Sequence, residues 1–308
     1  MRYFGKGDNM KREIFVARDG KKLSIAIWDE VQAPRAIVQI LHGMCEYIDR
    51  YDEFARYLNS NGYIVFGDDH RAHGLTDRDS LGKVGDGNLF EDTVADAREL
   101  TLWAKERYGL PLVLFGHSYG SFLSQRYLTY GSEELAGVVL CGSALMNRAL
   151  IDVSCLLTIG ANKPTKRDKE GKMFADLTFK GYDKKINEGT NAWLNRDKSE
   201  VEKYNNDDMC GYLCSVGFYH YFFRGLRAIA KSPHYNLQKN LKMLIISGSE
   251  DQVGGCGTLV KNLANRYKKI GLNPKMKLYE GARHEILNEI NKQEVFADVR
   301  HFLDDCFI

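Results

Sequence analysis

Residues 112–130 read LVLFGHSYGSFLSQRYLTY. The apolar run Leu112–Phe115 carries the signal of a buried strand, and Phe122–Tyr130 has a helical pattern. Between them stands Gly116-His117-Ser118-Tyr119-Gly120, a G-x-S-x-G sequence in the strand–turn–helix setting that this motif requires. The turn is so tight that side chains at Gly116 and Gly120 would collide with the packing of helix on strand. The serine is held in a strained conformation with Oγ above the sheet, and the helix N-terminus behind it offers backbone N–H groups to an oxyanion. Ser118 is therefore the candidate nucleophile.

Working outward, short apolar runs alternate with helical patterns, which predicts βαβ units and a parallel sheet. The expected strands are Ile14–Ala17, Leu23–Trp28, Ala36–Leu41, Ile64–Gly67, Leu112–Phe115, Val138–Cys141, Met243–Ser247 and Lys275–Tyr279. The first two flank Asp19-Gly20, a hairpin turn, and the later ones read as buried on both faces. Helices are expected over Asp92–Arg107 and at the C-terminus, where Val295, Val299, Phe302, Leu303 and Cys306 form one stripe. Residues 144–236 break the alternation. They form an expected, mainly helical insertion over the C-terminal edge of the sheet, where open α/β sheets bind ligands. The core is then 1–143 and 237–308.

A serine needs a base, and the base an orienting acid, in the chain order Ser, Asp or Glu, His. The strand ending at Ser247 runs into Gly248-Ser249-Glu250-Asp251, and the strand ending at Tyr279 runs into the loop carrying His284. Asp251 is the expected acid with Glu250 as competitor, and His284 is the expected base. His220 and His234 lie in the insertion and His301 on the last helix. The loop after Leu41 is His42-Gly43-Met44-Cys45-Glu46. Gly43 lets the backbone turn, so that the N–H groups of Met44 and Tyr119 face an oxyanion. Cys45 then lies beside the pocket. The run Asp68–Gly74 resembles a metal cluster, but its loop position favours side chains that brace the loop. In the insertion, Phe218, Phe222 and Phe223 belong to a run of five aromatics in six positions and are candidates for an apolar acyl pocket.

Composition bounds the function. Among 308 residues, 43 Lys+Arg stand against 41 Asp+Glu, a balance with no global attraction for nucleic acid. Apolar residues at 44% and charged residues at 27% exclude a disordered or collagenous chain. The seven cysteines (45, 141, 155, 210, 214, 256 and 306) form no C-x-x-C and read as reduced thiols. Met1–Arg12 has no apolar core of a secretory signal, and no run approaches a membrane span, so a cytoplasmic location is expected.

Together these elements resemble the monoacylglycerol lipase/lysophospholipase branch of the α/β-hydrolase superfamily, the branch that includes the S33 serine aminopeptidases. The resemblance rests on HGMCEYIDRY (42–51), DDHRAHGLT (68–76), GHSYGS (116–121), WLNRDKSEVEKY (193–204), GSEDQV (248–253) and GARHEILNE (281–289). It implies a mostly parallel eight-stranded sheet flanked by helices, with 144–236 as a mainly helical cap. It assigns Ser118, His284 and Asp251 to the triad, and the Met44 and Tyr119 N–H groups to the oxyanion hole. Ser121 stands where the family often has a second glycine. The implied activity is hydrolysis of monoacylglycerols or lysophospholipids through an acyl-enzyme, without metal or organic cofactor. The partner is a small acyl ester, with at most weak contact with lipid, and nothing in the sequence fixes the oligomeric state. The alternatives are a short-chain carboxylesterase, an aminopeptidase-type serine peptidase, and a non-catalytic binding protein, the last disfavoured because no triad residue is missing.

Overall fold

A computed structural model describes residues 10–232 and 237–307, so His234 and residues 1–9 lie outside the described residues. The strands are β1 (Met10–Val16), β2 (Lys22–Trp28), β3 (Ala36–Leu41), β4 (Tyr63–Asp68), β5 (Leu112–His117), β6 (Gly137–Cys141), β7 (Lys242–Gly248) and β8 (Lys275–Tyr279). They form one eight-stranded sheet in the order β1-β2-β4-β3-β5-β6-β7-β8. The pairs β1–β2 and β2–β4 are antiparallel, and every other pair is parallel. The hairpin turns where expected, with Gly20 at φ +85° and its N–H donated to the Ala17 carbonyl (2.8 Å).

The helices are α1 (Asp52–Ser60), α2 (Leu89–Tyr108), α3 (Tyr119–Tyr130), α4 (Arg148–Ala161), α5 (Lys172–Ile186), α6 (Lys198–Asn205), α7 (Val216–Lys231), α8 (Thr258–Lys269) and α9 (Lys292–Asp305). Strand alternation divides the core between the two faces of the sheet. Val38, Ile40, Val113, Phe115 and Val139 pack with Phe54 and Leu58 of α1 and Phe296 of α9. Ile37, Leu41, Leu112, Leu114, Val138 and Leu140 pack with Leu100 and Ala104 of α2 and Leu123 and Tyr127 of α3. Of the expected final stripe, Val295, Val299, Phe302 and Leu303 are buried, while Cys306, at the C-cap of α9, is half-buried.

One expectation of burial fails. β8 was expected to be buried on both faces, but Lys275 and Met276 are exposed. The strand is at the sheet edge and pairs with β7 alone, so its first residues are left at the surface, where Lys275 pairs with Asp305 of α9. Between β6 and β7 the chain makes α4, α5, α6 and α7, joined by loops and one isolated bridge, Glu170 to Ser215. α4 packs on α7 but leaves Leu150, Val153, Leu156, Leu157 and Ile159 exposed, next in sequence to Met173 and Leu177 on α5, also exposed. Among the described residues no helix is long and apolar enough to cross a membrane.

The start of α3 lies directly on β3 and β5. A Cβ on Gly120 would collide with the Leu41 carbonyl oxygen, and one on Gly116 with the Ser124 hydroxyl and the Gly120 carbonyl. Overpacking of this kind typically costs about 1–3 kcal/mol. Gly120→Ala should lower the unfolding free energy in urea by that amount. Gly160→Ala in α4, where a Cβ meets open space, should be neutral or gain up to about 1 kcal/mol.

Candidate active site

Ser118 joins β5 to α3 with φ +51° and ψ −115°, a backbone conformation that non-glycine residues rarely adopt. Neighbouring groups hold it there. Its N–H donates to the Cys141 carbonyl at the end of β6 (2.9 Å). Its own carbonyl accepts from the Ser121 N–H (2.9 Å) and the Ser121 hydroxyl (2.6 Å). The Ser121 hydroxyl thus adds a hydrogen bond to the strained turn.

The hydroxyl of Ser118 donates to His284 Nε2 (2.8 Å), and His284 Nδ1–H donates to Asp251 Oδ1 (2.9 Å). Asp251 is buried after β7 and also accepts from the Ser247 hydroxyl (2.7 Å) and the Val253 N–H (2.9 Å). Burial opposes ionisation of its carboxyl, but the facing His284 and these hydrogen bonds hold it below the ordinary value. Glu250, the competing acid, is exposed, so the geometry brings together Ser118, His284 and Asp251. His301 is exposed and His220 bonds to Thr158 (3.2 Å), away from the serine.

The loop after β3 is anchored from below by charge. Glu46 Oε1 accepts from the Gly43 N–H (2.5 Å), the Tyr51 hydroxyl (2.8 Å) and His117 Nδ1 (3.2 Å). Its Oε2 accepts from Arg50 (2.6 Å), which also forms a two-pronged pair with Glu285 (2.7 Å each). His117 Nε2 reaches the His284 carbonyl (3.4 Å). Burial works against the Glu46 charge, yet Arg50 and then His117 hold its carboxyl well below the usual range. For His117, burial opposes protonation, and the bond to Glu46 overrides it and raises the pKa. The Met44 and Tyr119 N–H groups donate no hydrogen bond among the described residues and flank Ser118 at the cavity wall. His42 completes the loop, accepting from the His70 N–H (3.0 Å) and donating to the Gly43 carbonyl (2.8 Å). Burial, with His70 and His73 nearby, pushes its pKa well down, consistent with the neutral tautomer these bonds require.

The 68–74 run braces its own loop. Asp69 accepts from the Ile48 N–H (3.0 Å), the Leu75 N–H (2.9 Å) and Arg12 (3.0 Å), and His70 bonds to Asp68 (2.9 Å). Among the described residues no group of three or more His, Cys, Asp or Glu is placed to hold a metal ion.

Above Ser118 lies a cavity of about 200 Å³. Of the expected pocket residues it takes Cys45 and Phe222. Phe218 and Phe223 do not line it. Successive residues of α7 turn about 100° apart, so Tyr219 and Phe222 face the cavity together. Phe218 turns to Tyr119 and His73 instead, and Phe223 lies behind Tyr219. The remaining aromatic wall, missed in the sequence, is Phe122 from α3, Phe179 and Tyr182 from α5, Trp193, Tyr204 from α6, and Tyr212. Among the described residues no Lys or Arg lines the cavity.

Comparison with known proteins places this geometry. The sequence model of the family described as "Serine aminopeptidase, S33" matches residues 32–291. Monoglyceride lipase of Mus musculus is 27% identical over 290 residues, covering 93% of this chain and 86% of the mouse protein. Monoacylglycerol lipase of Mycolicibacterium smegmatis is 26% identical, covering 94% and 95% of the two chains. A thermostable carboxyl esterase from Bacillus coagulans, solved in complex with glycerol, superposes with a TM-score of 0.88 at 25% identity, covering 97% of this chain and 99% of that one.

The hydrogen-bond chain from Ser118 through His284 to Asp251 is the arrangement expected of a nucleophile, its base and an orienting acid. A fluorophosphonate probe should label Ser118, and Ser118→Ala should abolish labelling. Asp251→Asn should lower ester turnover by about three to four orders of magnitude, whereas Glu250→Gln should leave it near the wild-type value. Persistent labelling at another serine, or the reverse ranking of the two acids, would refute the assignment.

Proposed function

Because the chain belongs to the hydrolase family described as serine aminopeptidase, S33, we propose that it cleaves carboxylic esters through an acyl-enzyme on Ser118. We further propose that its substrates are uncharged monoacyl esters such as monoacylglycerols. Ser118 Oγ attacks the acyl carbonyl as His284 takes its proton, and Asp251 stabilises the imidazolium. The Met44 and Tyr119 N–H groups receive the oxyanion. His284 then protonates the leaving alcohol, and water activated by the same histidine releases the acid.

The observation that carries the substrate reading is an apolar, aromatic cavity over Ser118 whose lining carboxylates are Glu46 and Glu285, with His117 bound to Glu46 and no Lys or Arg among the described lining residues. An anionic phosphate headgroup would enter beside two carboxylates with no free partner, because Arg50 is already bound to both. That disfavours lysophospholipids. The peptidase reading needs a carboxylate free to hold an α-amino group, and the same pairing engages both candidates. A neutral glycerol-like alcohol meets neither obstacle.

In this reading residues 144–236 act as a cap that supplies much of the acyl wall. The cavity is smaller than the roughly 300–1,000 Å³ usual for drug-sized ligands, which favours acyl chains of medium length. The same volume favours a short-chain carboxylesterase as the second reading. The exposed apolar stripe of α4 supports transient contact with the lipid aggregates in which such esters gather.

Turnover across the series from acetyl to palmitoyl monoacylglycerols tests the proposal. Each buried methylene contributes up to about 0.8 kcal/mol, so kcat/KM should rise by up to about fourfold per step, with its maximum between octanoyl and dodecanoyl. Tyr219→Ala and Phe222→Ala should flatten that rise, and Phe223→Ala should change it less. Lysophosphatidylcholine and aminoacyl amides should be poor substrates. A profile that falls from acetyl onward, unchanged in these variants, would select the short-chain carboxylesterase.

A further inference from the structure

Next to Met44 the chain carries a side chain that the reaction does not use. Cys45 is half-buried at the cavity wall, and its backbone lies at φ +56°, where a non-glycine residue is uncommon and strained. That conformation directs Sγ to within 3.3 Å of Cys214 Sγ and 3.2 Å of the Tyr212 carbonyl. The Cys45 carbonyl accepts from the Gly211 N–H (3.0 Å), so the loop and the 211–214 segment already lie side by side. Cys214 is fully buried and held in place: its carbonyl accepts from the Gly171 N–H, and the next N–H, of Ser215, donates to the Gly82 carbonyl (2.9 Å each). Among the described residues no other two thiols are in such contact.

We propose that Cys45 and Cys214 are a modification site, a dithiol that a small hydroperoxide oxidises to a disulfide, tying the oxyanion loop to the 211–214 segment and suppressing turnover. Cys45 Sγ, reached from the cavity, attacks the peroxide. An S–O bond forms, the O–O bond breaks and one water leaves, giving a sulfenic acid. Cys214 Sγ then attacks Cys45 Sγ. The S–S bond forms, the S–O bond breaks and a second water leaves, carrying the remaining thiol proton. Two thiols lose two electrons, and one peroxide becomes two waters when hydrogen peroxide is the oxidant. Burial, followed by the contact with Cys45, raises the Cys214 pKa well above that of a free thiol, so Cys45 is the group that meets the oxidant. Bond formation draws the sulfurs from 3.3 Å to about 2.05 Å, and Met44 is bonded directly to the residue that moves. A displacement of about 1 Å in a reacting geometry can cost about a hundredfold in rate.

The effect on turnover rests on the hydrolase reading, whereas the crosslink itself does not. The test treats the reduced full chain with hydrogen peroxide, followed by non-reducing peptide mapping, fluorophosphonate labelling and ester turnover. The expected result is a linked Cys45–Cys214 peptide two hydrogens lighter, with labelling and turnover down at least tenfold and restored by dithiothreitol. Cys214→Ala should keep near-normal turnover and resist peroxide, and Cys45→Ser should yield no linked peptide even if its turnover is altered. Cys256, the exposed thiol, reports that oxidant was delivered. Oxidation of Cys256 with no Cys45–Cys214 link, or equal inhibition of wild type and Cys214→Ala, would overturn the proposal. An untreated protein that neither labels nor turns over esters would instead count against the hydrolase reading, and the peptide map would still decide the crosslink.

Discussion

Arg50 lies between two buried carboxylates, and three otherwise separate loops meet at that contact. Glu46 holds the Gly43 N–H, and with it the turn that aims Met44. Glu285 follows the base in sequence, and His117 precedes the nucleophile while touching both Glu46 and the His284 carbonyl. Moving charges of this kind out of water costs several kcal/mol per ion, so the arrangement persists because each group is paired and hydrogen-bonded. The set is electrically neutral when His117 is protonated, which agrees with its raised pKa. The signs of linkage follow. Glu46, held below its unfolded value, adds stability that is lost as pH falls through its folded pKa. His117, held above 6.5, adds stability that is lost as pH rises through its folded pKa. Between those limits the cluster holds the Gly43–Glu46 loop, His117 and the His284 loop together.

The three residues that the structure joins by hydrogen bonds were legible in the sequence because each sits where a local pattern ends. Ser118 closes a strand and opens a helix, Asp251 follows β7, and His284 follows β8. Chain order in this fold then restricts the choice to a few positions. Between Glu250 and Asp251 the sequence favours Asp251, and the turn buries that side chain while exposing its neighbour.

The walls of the cavity were less legible, since lining a cavity is a property of packing between elements. The aromatic run on α7 gives a composition, but the helix allows only part of it one direction, and Tyr219 with Phe222 takes that direction. Phe179, Tyr182 and Trp193 arrive from segments with no local signal that they meet above Ser118. Arg50 and Glu285 are 235 residues apart, and no periodicity links them. The exposure of Lys275 and Met276 was hidden for a related reason: an edge strand and an interior strand can share one sequence pattern, and only the order of the sheet separates them.

The backbone at Ser118 has a consequence for descent. Its φ of +51° is a conformation that glycine adopts with the least strain, so the hydroxyl is kept at the expense of the fold. In a lineage released from the need for turnover, exchange of this serine for glycine would relieve the backbone strain, against the loss of the hydrogen bond to His284 and the greater freedom of glycine in the unfolded chain. Serine at so strained a position marks where the fold accepts backbone strain to hold a hydroxyl in place, and a fold carrying glycine there would shed the strain together with the hydroxyl.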